Sequence, residues 1–175
     1  MAGVSYAMVE TVLAKVFGVG DAAQKGALRG RIKHLQGLGL AVKAQRGVRR
    51  VAYTRGQIYE LGFCLQLEQA GIDASIAAKL LQAYRKYILD AYAEAEEAIQ
   101  KREHYFFWLV TEFMTARWST KKLKFPGLPE FQAGTLQELK DAIARLDSRR
   151  CCCLTLFHMT TLVREVLEAA KAQND

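Results

Sequence analysis

Between residues 40 and 57, "LAVKAQRGVRRVAYTRGQ", the spacing of apolar side chains changes twice, and this limits what the chain can fold into. Before it, apolar positions recur every three or four residues, the period of an amphipathic helix. Tyr6, Val9, Leu13 and Val16 follow Ser5, a residue suited to an N-cap, and Gly18 and Gly20 stop the pattern. Leu28, Ile32, Leu35 and Leu38 define a second helix between Asp21 and Gly39, closed by Gly37 and Gly39. Then the period drops to two: Leu40, Val42 and Ala44 on one side of "RGV", Val51 and Tyr53 on the other, as in a β-hairpin. Helical spacing resumes at once. Thr54 and Gln57 stand as a capping box, Tyr53 and Ile58 as a hydrophobic staple, and Ile58, Leu61 and Leu65 mark a third helix over 55–70.

Charge is distributed as unevenly as period. The chain has 175 residues and a formal charge of +7, and residues 1–66 hold ten Lys or Arg against three acids, so the whole excess lies there. The second helix sets Lys25, Arg29, Arg31, Lys33 and His34 mainly away from its apolar face, and the hairpin region carries Lys43, Arg46, Arg49, Arg50 and Arg55. Confined to one small unit, that charge points to an anionic partner, and an arginine-rich hairpin tip suits phosphates on either side of a groove.

Helix, turn, basic helix, hairpin, helix is the element order of a winged helix-turn-helix domain. Three stretches, "RIKHLQGLGL", "RGVRRVAYTRGQIYELGF" and "LQLEQAGIDASIAAKLL", resemble in order the recognition helix, wing and following helices of the MerR-like regulators, over residues 5–82. The resemblance implies that Arg31, Lys33 and His34 lie on the helix facing DNA and that Arg49, Arg50 and Tyr53 belong to the wing. Two departures stand out: the turn before the second helix is longer than the family's, and the wing arginine precedes Tyr53 by three residues rather than two.

The rest of the chain has another character. A fourth helix is predicted from Asp73 towards Arg102, with Ile76, Leu80, Tyr84, Ile88, Ala91, Ala95 and Ile99 as a stripe suited to a connector or a dimer seam. "HYFFWLVTEFMTARWS" fits either strand or helix, and its aromatics, Tyr105, Phe106, Phe107, Trp108, Phe113 and Trp118, suit a core or a subunit interface. "STKKLKFPGLPEFQAG" holds both prolines and reads as mostly loop. Thr135 and Glu138 form a second capping box before Leu136, Leu139, Ile143 and Leu146, "CCCLTLF" reads as a buried strand, and "MTTLVREVLEAAK" as an amphipathic helix.

The predicted fold class is therefore α+β: a winged helix-turn-helix over 1–73, a connecting or dimerisation helix over 74–102, and a small C-terminal α/β domain over 103–175 for dimerisation or for a small-molecule or protein effector. The predicted function is sequence-specific binding of double-stranded DNA by a homodimeric transcriptional regulator. The alternative is an adaptor whose aromatic C-terminal half binds a protein.

No metal site, cofactor or catalytic residue is predicted. Cys151 and Cys153 could share a ligand on a strand, but no histidine or carboxylate follows at zinc spacing, and Cys64 reads as core. His104 and His158 stand without an acid or nucleophile at informative spacing, and no phosphate loop or nucleophile elbow appears. The N-terminus lacks a secretory pattern and no apolar run reaches about eighteen residues, which predicts a cytoplasmic protein without a membrane partner.

Overall fold

The computed structural model describes residues 4–41, 52–111, 130–145 and 153–172. Its first strand, β1 (Val4–Ser5), leads directly into α1 (Tyr6–Val16), where the Ser5 side chain accepts a hydrogen bond from the Met8 amide. A short turn connects to α2 (Ala22–Gly37), N-capped by Asp21, whose carboxylate accepts from the Gln24 amide at 2.7 Å. The Gln24 side chain in turn accepts from the Gly20 amide, which ties the preceding turn to the first turn of the helix. Gly39, at φ 93°, ends this element: the chain reverses there, and the Leu40 amide reaches back to the Leu35 carbonyl.

Of the predicted hairpin, residues 42–51 lie outside the described residues. Its last part is β2 (Ala52–Tyr53), which pairs antiparallel with β1, Val4 opposite Tyr53. The predicted capping box is present: Thr54 accepts from the Gln57 amide and the Gln57 side chain from the Thr54 amide, opening α3 (Arg55–Gln69). Gly71, at φ 86°, then turns the chain into α4 (Ala74–Gln100).

The long helix is not straight. Tyr84 departs from helical geometry at φ −119° and ψ 22°, dividing α4 into two runs. Its apolar stripe is taken up by the chain itself: Leu80, Ile88, Ala91 and Ala95 are buried, and Ile76, Tyr84 and Ile99 pack against the same core.

Of the region left open between strand and helix, the described part forms a strand, β3 (Tyr105–Thr111), and residues 112–119 lie outside the described residues. It is the centre of a three-stranded antiparallel sheet ordered β4-β3-β5, with β4 (Glu130–Thr135) and β5 (Cys153–His158) on its flanks. The stretch read as mostly loop ends in β4, because Tyr105 to Val110 offer it a ladder that no local pattern reveals, and its residues 119–129 lie outside the described residues. One expectation is corrected here. The C-terminal α/β unit takes an antiparallel α+β form. The second capping box is as predicted: the Thr135 amide donates to Glu138 at 2.7 Å and α5 (Leu136–Arg145) follows.

The last helix, α6 (Met159–Lys171), joins the halves. It packs against α1, α3, α4 and β3, and Lys15 of α1 lies 2.6 Å from Glu165. Gly62 of α3 permits this approach, because a Cβ there would lie 2.4 Å from a Leu162 methyl. Beside it, Phe63 meets Phe107 edge-on, ring centroids 5.0 Å apart, with Phe157 at 6.2 Å. One hydrophobic core thus runs through all three sequence segments, from Val9 and Leu13 through Ile88 and Tyr92 to Phe107 and Leu162. The run's aromatics divide: Tyr105, Phe107 and Trp108 are buried, Phe106 is half-buried, and Phe113 and Trp118 lie outside the described residues.

Candidate nucleic-acid interface

Every third or fourth residue of α2 is drawn inward: Leu28, Ile32 and Leu35 are buried. At 100° per residue this leaves the remaining circumference to Lys25, Arg29, Lys33, Arg31 and His34, all exposed. Lys25, Arg29 and Lys33 form one row at intervals of four. Arg31 and His34 lie towards the other flank, where both act on Glu68 of α3 and His34 acts on Asp73.

Between the flanks the helix is smooth. Gly26 and Gly30 are exposed, and a Cβ at either position would meet no atom within 4 Å among the described residues. Such glycines cost a helix about 1 kcal/mol each relative to alanine. Among the described residues, no close packing repays that cost.

Electrostatics sort the basic residues. Arg29 Nε donates to both carboxylate oxygens of Glu10 on α1, at 2.7 and 2.8 Å, and this holds the Glu10 carboxyl below its usual range. The side chains of Lys25, Arg31, Lys33 and His34 make no hydrogen bond or ion pair among the described residues. Burial raises the Glu68 carboxyl, and Arg31 and His34 oppose that rise. The surface of α2 is thus a basic band with Glu10 on one flank and Glu68 and Asp73 on the other.

Two predicted contact residues have internal roles. Tyr53 is 3% exposed, its ring packs 6.3 Å from that of Tyr6, and its hydroxyl accepts a 2.6 Å hydrogen bond from Gln36. It ties β2 to α2, and its phenol is not a surface group. Arg55 is turned towards α4, where Nη1 lies 3.1 Å from Glu96, and Tyr59 donates to the other oxygen of that carboxylate at 2.7 Å. Tyr59 is stacked on Tyr92 at 4.6 Å, and burial, the largest effect, pushes its hydroxyl well above the usual range. Arg55 therefore fastens α3 to α4.

Lys43, Arg46, Arg49 and Arg50 lie outside the described residues, as do Cys151 and Cys152. Cys64 is fully buried, and burial raises its thiol far above the reactive range. Among the described residues no group of three or more His, Cys, Asp or Glu could hold a metal ion, and no helix is long and apolar enough to cross a membrane.

Sequence reasoning missed Glu10, Gln36 and Glu68, the residues that anchor or temper the basic band. Glu10 is 19 residues from Arg29, and no local spacing marks such a pair. Comparison with family models and with curated proteins finds no match to this sequence.

Proposed function

We propose that this chain is a winged helix-turn-helix protein that binds double-stranded DNA sequence-specifically and regulates transcription as a homodimer, in the manner of the MerR-like regulators it resembles over residues 5–82. One observation carries the reading: α2 presents Lys25, Arg29, Arg31, Lys33 and His34 around an exposed Gly26–Gly30 strip, with its opposite face fixed in the core. Cations at this spacing can reach phosphates on both walls of a major groove, and a side-chain-free strip lets the backbone approach base edges. Arg49 and Arg50 complete the surface as the wing, with β2 held to β1 and to α2 through Tyr53. Tyr53 and Arg55 position the wing and α3 without touching DNA.

Because the α4 stripe is spent inside the chain, the dimer contact is assigned to the C-terminal half. Leu136, Ile143 and Leu156 there are each close to half exposed. The same side chains favour a second reading, an adaptor whose C-terminal half binds another protein. Selection of bound sequences from a random duplex pool separates the two. A recurrent two-fold motif supports the regulator, and recovery of no preferred sequence supports the adaptor.

A further inference from the structure

The chain's last two histidines, 54 residues apart in sequence, meet in space: His104 Nδ1 lies 2.9 Å from His158 Nε2. His104 stands at the α4–β3 junction and His158 ends β5 at the start of α6. The other ring nitrogen of His158 lies 2.6 Å from the Thr161 hydroxyl, and Phe106 closes the cluster, 5.0 Å from the His158 ring. Two residues on, the Thr160 hydroxyl accepts from the Tyr105 amide at 2.7 Å. Side-chain bonds thus fasten β3 to α6 at this end of the sheet.

We propose that His104 and His158 form a pH-sensitive latch, closed while at least one of the two imidazoles is neutral and opened when both are protonated. An N–H···N bond needs one lone pair, so a first proton leaves the pair intact and a second removes the only acceptor. The surroundings oppose that second charge. His158 is half-buried, and burial is the largest influence lowering its proton affinity, followed by His104 and by Arg164 of α6. Its position as N-cap of α6 sets it at the positive end of the helix dipole, and the first turn of α6 contains no acid. The nearest acids along α6, Glu165 and Glu168, are paired with Lys15.

The sign follows from linkage. A histidine whose folded-state affinity for protons is depressed contributes stability above its unfolded pKa, and that stability is lost as pH falls through the folded value. Opening loosens the N-terminus of α6, which packs on α1, α3 and α4, so the effect reaches the basic half of the chain. This inference stands on the histidine geometry and does not depend on what the basic helix binds.

The test is a histidine-ring NMR titration of the full chain, which has three histidines, with amide exchange of Tyr105, Phe106, Thr160 and Thr161 corrected for intrinsic rates. Exposed His34 serves as the internal reference. As pH falls from about 7.5 to about 5, protection at those amides should be lost in the wild type. In His104→Gln, His158 should take up its proton at higher pH, and protection should fall less steeply with pH than in the wild type. An unchanged His158 titration in His104→Gln, or the same pH-dependent loss in both proteins, overturns the latch. His104 is exposed, so its variant carries the test even if His158→Gln fails to fold.

Discussion

Arg29 on α2 and Glu10 on α1 are joined by a bifurcated ion pair, the guanidinium Nε donating to both carboxylate oxygens. The pair bridges two helices and also occupies one cation of the proposed DNA surface. Any phosphate bound by Arg29 must compete with Glu10. Replacing Glu10 by Gln should therefore strengthen duplex binding severalfold at low salt, with the gain shrinking as ionic strength screens the acid. Weaker binding in Glu10→Gln, with the fold intact by circular dichroism, would mean that the pair serves DNA binding by positioning α2.

Lys33 has no side-chain partner among the described residues, and the proposed function takes Arg49 and Arg50 as wing residues. Lys33→Ala, and Arg49→Ala with Arg50→Ala, should each weaken binding while leaving the melting temperature close to that of the parent. For every phosphate left without its cation, the slope of log K against log salt should flatten by about 0.9. Anisotropy titrations of labelled duplex would show this. A slope identical to the parent's in the double variant removes the wing from the interface.

Gly62 is the point where α3 and α6 come closest, with Leu162 fully buried against it. A methyl group added there has no room. Gly62→Ala should destabilise the protein by about 1–3 kcal/mol, the usual cost of overpacking, read as a lower urea midpoint. Combining it with Leu162→Ala should cost less than the sum of the two single changes, because the second makes space for the first. Additive costs would show that the two side chains do not share this space.

Tyr59 donates to Glu96 while Arg55 pairs with the other carboxylate oxygen. Tyr59→Phe should cost about 1 kcal/mol, the ordinary net worth of a hydrogen bond, because Arg55 still accompanies the carboxylate. It should leave DNA affinity unchanged. A loss of affinity larger than the loss of stability would connect this cluster to the interface after all.

Local chemistry was legible in the sequence. Thr54 with Gln57 and Thr135 with Glu138 act within a single turn, so their spacing states their bonds, and the period change at residue 40 marks the end of α2. Features that depend on distant partners were not legible. β4 follows Pro126, Gly127 and Pro129, which read as loop, and its register comes from β3. Tyr53 lies in an alternating pattern that identifies a strand but not what covers each face. Arg55 looks like one more cation in a basic run until Glu96, 41 residues later, is brought beside it. His104 and His158 lack informative spacing because their meeting is made by the β3–β5 ladder.

The central claim, that α2 and the wing form a duplex-binding surface, is tested most directly by fluorescence anisotropy of labelled random duplex DNA with the purified chain across a series of salt concentrations. The account predicts binding that weakens steeply as salt rises, with a slope reduced in Lys33→Ala. An absence of binding at the lowest salt, with the chain folded, would contradict it.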